Sequence, residues 1–236
     1  MKKLSILFLA AITVIFSACE KVSGEGDLRT ETRTTGNFSG IDSRISGNVF
    51  YVQGNEHKIE LTAQQNILEV IETPVINDKV VVRFKNDIRV RSYEQITVRI
   101  TAPSISSVSA SGSGNVTVSS PVAGNSLHFT LSGSGNMMLP AVSATHLDAT
   151  ISGSGNIDIA GGSTTTAHYK ISGSGGIDAQ GVSARSVEAT TSGSGNIKLS
   201  ASENLNARIS GSGSIFYSGN PIINTTITGS GRVRHL

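Results

Sequence analysis

Three groups of side chains in this sequence have types and spacing that could do chemistry. His128, Asp148, His168 and Glu188 recur at intervals of 20 residues, and Asn206 and Asn224 continue the series. If each interval is one turn of a stacked fold, these residues form a single outward column. His and carboxylate both ligate Zn²⁺, so a divalent metal site is one possible chemistry. A surface ladder that keeps like charges apart is the other. The ladder fits better, because side chains in one flat column do not converge on a tetrahedron. No metal and no cofactor is expected.

Asp158, Asp178 and Lys198 keep the same spacing in a neighbouring column. Two carboxylates about 5 Å apart are the arrangement of a retaining glycosidase. That chemistry needs a cleft, and the regular spacing leaves almost no loop length to build one. Solvated surface charge is therefore expected, no residue is assigned as catalytic, and the chain is not read as an enzyme.

The third group is Cys19 and its approach. Lys2 and Lys3 precede an apolar stretch, Leu4 to Phe16, which is short for a membrane span. Ser17-Ala18 then leads to Cys19, the only Cys in the chain. This resembles a bacterial lipoprotein signal. It implies that residues 1–18 are removed and that Cys19 is the lipid attachment site. A lone Cys in an exported protein forms no internal disulfide, and acylation accounts for it. Each buried CH₂ of an acyl chain contributes about 0.8 kcal/mol, so a multiply acylated Cys19 would bind a membrane stably. The polar stretch after it, residues 19–36, reads as a flexible tether.

The elements that position these residues are set by one recurring tetrapeptide. Ser-Gly-Ser-Gly begins at Ser111, Ser132, Ser152, Ser172, Ser192 and Ser210, and Thr-Gly-Ser-Gly begins at Thr228. Intervals of 18 to 21 residues, repeated this often, mark a stacked solenoid. The Gly-rich motif is not a phosphate loop: it lacks the following Lys-Ser/Thr, and β-branched strands rather than a helix come after it. Aligned repeats give columns of apolar residues two positions apart within a coil, as a pleated strand requires. Phe129, Ala149, Tyr169 and Ala189 form one such column, alternating large and small as a thin core would need. Ile151, Ile171 and Ile209 belong to a second, and Ile157, Ile177 and Ile197 to a third. If that parity is unbroken, the motif glycines point inward, and the serines point outward with Asn115, Asn136, Asn156 and Asn196. If it breaks at the bend, Ser and Asn form internal ladders instead. The sequence leaves both open.

Upstream, the runs Ile41–Ile45, Val49–Val52, Lys58–Leu61, Lys79–Phe84 and Gln95–Ala102 read as strands, and residues 64–71 as one short helical turn. Ile45-Ser46-Gly47-Asn48-Val49 looks like a worn copy of the repeat. The distance from Ser46 to Ser111 leaves room for three wider, irregular coils.

Bulk properties narrow the function. Lys and Arg number 19 against 17 Asp and Glu. Lys2 and Lys3 alone supply the excess, so no nucleic-acid partner is indicated. Aromatic residues are 5% of the chain and Trp is absent, which argues for an elongated fold rather than a thick globular core.

Phe38-Ser39-Gly40-Ile41 at the start of the folded part, Val52-Gln53-Gly54, and the repeated Ser-Gly-Ser-Gly-Asn-Ile core together resemble the auto-transporter adhesin, head GIN domain family of Bacteroidota envelope proteins. The resemblance covers residues 37–236, with regular repeats from about 108. It implies an all-β, single-stranded, right-handed parallel β-solenoid with coils of about 20 residues, and an adhesin-like role. The expected partners are a membrane, through the N-terminal lipid, and a glycan or surface protein. The expected location is the cell envelope, at the outer membrane. A structural or assembly scaffold of the envelope is the alternative, and a polysaccharide-active β-helix enzyme a more distant one. The ligand-binding residues are not identified by sequence.

Overall fold

The structure, a computed structural model, describes residues 20–236. Cys19 and the leader 1–18 lie outside the described residues. Nearly everything described is β-strand, and most of it belongs to one continuous sheet that winds on itself.

The repeat region forms β11 (Ser107–Gly112), β12 (Val116–Val118), β13 (Val122–Gly133), β14 (Asn136–Leu139), β15 (Val142–Gly153), β16 (Asn156–Ile159), β17 (Gly162–Gly173), β18 (Gly176–Gly193), β19 (Asn196–Gly211), β20 (Ser214–Ser218), β21 (Ile222–Gly229) and β22 (Arg232–His235). Each coil pairs parallel and in register with the next. Leu131 faces Ile151, Ile151 faces Ile171, and Ile171 faces Thr191. The β-solenoid read from the repeat is therefore the observed fold.

The core is the stack of inward columns. Phe129, Ala149, Tyr169 and Ala189 are direct register partners, and all are buried. So are Ile151, Ile171, Ile209, Ile157, Ile177 and Ile197. Burying one such side chain contributes about 1.5–3 kcal/mol, so a core one side chain thick is held by repetition. Thr191 interrupts an Ile column, yet is fully buried because its hydroxyl donates to the Gly195 carbonyl at 3.0 Å.

Parity continues through the bend. Ser172 and Ser174 are exposed, whereas Gly175 between them and the core is buried. The motif glycines therefore face inward, and the serines and asparagines outward. Gly173 has φ +128°, and a Cβ there would run into the Gly153 carbonyl of the preceding coil. A Cβ on Gly175 would meet the Gly155 carbonyl and, at 3.0 Å, the Ile151 Cγ2. The amides of the bend hydrogen-bond that preceding coil, Ser174 N to Gly153 O at 2.9 Å and Gly176 N to Gly155 O at 3.2 Å. Backbone stacks directly on backbone here, which only glycine allows.

The N-terminal part corrects two expectations. It contains β1 (Glu20–Ser23), β2 (Leu28–Thr34), β3 (Gly40–Ser43), β4 (Asn48–Gln53), β5 (Lys58–Gln64), α1 (Gln65–Leu68), β6 (Ile71–Glu72), β7 (Val75–Ile76), β8 (Lys79–Phe84), β9 (Ile88–Ser92) and β10 (Thr97–Ala102). β3 and β4 form a true coil, stacked directly under β11 and β12. Three coils do not fill the interval that follows. β8 and β10 make one wide coil on the far side of β3 and β4. Beyond it β5 runs antiparallel to β10, and β6 and β7 antiparallel to β8. The segment is mostly a cap that seals the end of the sheet, which a bare edge needs.

The expected tether over 19–36 is also corrected for its described residues. β1 pairs with β9, and β2 pairs antiparallel with β5. Arg33 fixes β2 by donating to the carbonyls of Ile71 and Leu68, each at 2.8 Å. Among the described residues no helix is long and apolar enough to cross a membrane.

Candidate functional site

The short strands of successive coils form one wall of the rod, and its outward column reads Thr117, Met138, Asp158, Asp178, Lys198, Phe216, Arg234. The two carboxylates singled out in the sequence are thus adjacent, with Lys198 on the next coil. Lys198 Nζ lies 3.1 Å from Asp178 Oδ2, and the Gln180 amide donates to Asp178 Oδ1 at 3.3 Å. Asp158 has no hydrogen bond or ion pair with any described residue.

Beside this column the wall is not flat. Where the chain leaves the short strands, an open groove of about 780 Å³ runs across the coils. Its lining is mostly apolar and includes Met138, Leu139, Pro140 and Ile159, with Asp158, Asp178 and Gln180 as its polar members. Two small residues, Ala160 and Gly181, are also part of the lining. Met138 is 45% exposed, an apolar side chain left in water at the groove's edge. The regular spacing left almost no loop length to build a cleft, and the open groove forms without long loops.

A second depression of about 220 Å³ adjoins it and shares Asp158 and Asp178. Its cause lies in the Asn column. Asn115 donates to Asn48 Oδ1 at 3.4 Å, Asn136 to Asn115 Oδ1 at 3.0 Å, and Asn156 to Asn136 Oδ1 at 3.0 Å. Gly176 then stands where the next Asn would, and the ladder stops. The signal was present in the sequence: Ser172-Gly-Ser-Gly is followed by Gly-Ile, not Asn-Ile.

The His and carboxylate column is a surface ladder. Asp148 lies between two imidazoles, with His128 Nδ1 3.0 Å from Oδ2 and His168 Nδ1 3.3 Å from Oδ1. Glu188 pairs with Arg208. Asn206 and Asn224 follow in register. Among the described residues no three His, Cys, Asp or Glu side chains are grouped to hold a metal ion. Because the carboxylate of Asp148 is shared by two rings, the column links three coils; exposed pairs of this kind contribute about 0–1 kcal/mol each.

Comparison with known proteins adds the relationship. No curated protein matches the sequence. Solved structures similar to this fold include a putative adhesin from Bacteroides fragilis, at 24% identity and TM-score 0.83 over 91% of this chain and 100% of that one. A putative lipid binding protein from Parabacteroides distasonis is 25% identical, with TM-score 0.78 over 92% of this chain and 100% of the other. A putative adhesin from Parabacteroides merdae is 26% identical, with TM-score 0.75 over 92% and 99%. The family described as "Putative auto-transporter adhesin, head GIN domain" matches residues 37–221, from just before the first coil to just before β21 of the last. By that match, and by the solenoid it covers, this chain belongs to the auto-transporter adhesin, head GIN domain family.

Proposed function

We propose that this protein is a non-enzymatic, lipid-anchored adhesin of the cell envelope whose short-strand wall binds glycan. One observation carries the reading: an open, mostly apolar groove of about 780 Å³ whose lining includes Asp158 and Asp178, set in an otherwise regular rod. Apolar clefts with a few placed polar groups are where ligands bind. The Asn ladder at the start of this wall and the serines of the adjoining bend repeat about 4.8 Å apart along the stack, so one extended ligand could make many weak contacts together. The adhesin descriptions of the family and of two relatives agree with this role.

A glycan array probed with the isolated chain tests the reading. Adhesion to glycan expects binding; a scaffold of the envelope expects none, with recovery of an envelope protein in a pull-down instead. Anchoring is tested separately. Labelled palmitate should follow the protein into a detergent phase, and Cys19→Ala should abolish the label. Continued labelling of that variant contradicts lipid attachment at Cys19.

A further inference from the structure

We propose that the gap in the Asn ladder at Gly176 is a subsite for one neutral or amino sugar ring, and that it rejects acidic sugars. The inference rests on the glycan reading of the wall and narrows it to a ligand class.

The depression holds about 220 Å³. That is below the roughly 300–1,000 Å³ of pockets for drug-sized ligands, so it takes a single ring, and the adjoining groove receives the residue that follows. Its polar groups are arranged for a polyol. Asn156 spends its Nδ2 on Asn136, which leaves its Oδ1 without the donor that an Asn on the next coil would supply. Asp158 has no partner among the described residues. These two acceptors border the same depression. A carboxylate beside an amide oxygen can accept from neighbouring hydroxyls, or from a ring ammonium. On the far side, Asn196 accepts the Ser214 amide on its Oδ1 at 2.9 Å, which turns its Nδ2 to outside partners as a donor. Lys198 supplies a second donor while held by Asp178 at 3.1 Å.

Charge decides the class. Two carboxylates face one ammonium, and the free one is Asp158. An anionic sugar would bring like charge against an unpaired carboxylate, which disfavours it. Hydroxyl or ammonium donors find acceptors already in place.

The structure also provides a variant that closes the site without harming the fold. Gly176 does not have the left-handed φ of Gly173. A Cβ there would meet the end of one side chain, Asn156 Oδ1 at 2.9 Å, with the nearest backbone atom, the Asn196 carbonyl, 3.8 Å away. Gly176→Asn repeats an arrangement that the neighbouring coils already use.

The test is an array of galactose-, N-acetylglucosamine-, glucosamine-, glucuronic acid- and sialic acid-terminated oligosaccharides, probed with the full chain in detergent. The parent should bind neutral or amino-terminated members and not the acidic ones. Gly176→Asn should keep its melting temperature and lose about tenfold or more in affinity. Asp158→Asn should lose about 10–100-fold, the range for a charged hydrogen bond, and lose its discrimination against acidic members. Preference for acidic sugars, or unchanged binding by a folded Gly176→Asn, overturns the subsite and leaves glycan adhesion standing. Binding to no member of the array overturns both.

Discussion

The side chains of Asn48 and Asn115 meet at 3.4 Å although 67 residues separate them. That contact means the first coil is complete before the cap is made, and the chain must return past it to continue the stack. The returning strand β10 is the joint. Ile100 is fully buried, facing Tyr51 of the first coil on one side and Ile59 of the cap on the other.

Ile100→Ala should therefore loosen cap and solenoid together. The expected loss is about 2–5 kcal/mol, as for other large-to-small core changes, read from the denaturant midpoint. A loss confined to a minor early transition would mean that the cap folds independently of the rod.

Two adjacent glycines should differ sharply. Gly175→Ala places a methyl against the Gly155 carbonyl, whereas Gly176→Ala enters open space apart from one side chain. The first should cost about 1–3 kcal/mol or more through overpacking, and the second less than about 1 kcal/mol. Gly173→Val, which adds an unfavourable φ, should be worse than either. Calorimetry of the three variants orders them; equal melting temperatures would contradict the stacked bend.

Tyr169 is buried between Ala149 and Ala189 in its column, and its hydroxyl has no hydrogen-bond partner. Tyr169→Phe should raise stability by about 1 kcal/mol, since an unsatisfied buried hydroxyl carries a desolvation cost. Burial also pushes its pKa well above the ordinary tyrosine value. The folded state thus holds the proton more tightly than the unfolded chain, which ionises near pH 10. The stability from this linkage is complete below about pH 10 and falls as pH rises further. Tyr169→Phe should flatten that alkaline decline. An unchanged profile would mean that the phenol reaches water.

The last coil pairs on one side only. Ile223 and Ile227 remain 39% and 43% exposed, and Arg232 and Arg234 are exposed on β22. These charges should keep rods apart by mutual repulsion. The double change Arg232→Ser, Arg234→Thr should produce end-to-end association at low salt by light scattering. A folded variant that stays monomeric rules out the protective role.

What could be read from the sequence follows from what repetition records. The core columns were legible because Phe129, Ala149, Tyr169 and their neighbours recur in one phase. The inward glycines were legible as one of two alternatives, and packing against the previous coil decides between them. The cap was not legible. Leu28–Thr34 is polar after Leu28, and its strand pairing is made by backbone and by contacts such as Thr30 to Thr62 at 2.8 Å, which leave no apolar period. The groove was also hidden, because its lining is gathered from several coils and includes small residues, Ala160 and Gly181, that leave no pattern in the sequence. The Asn ladder's gap was visible at Gly176, but its meaning depended on Asn156 and Asn196 lying above and below it.

The most direct test is amide NMR of the intact chain with and without a galactose- or glucosamine-terminated oligosaccharide. The expected result is a set of shifts confined to residues 136–140, 156–160, 176–181 and 196–198, saturating with added sugar. Shifts centred on the serine-rich bends or on β21 and β22, with this wall unchanged, would contradict an adhesive site in the groove.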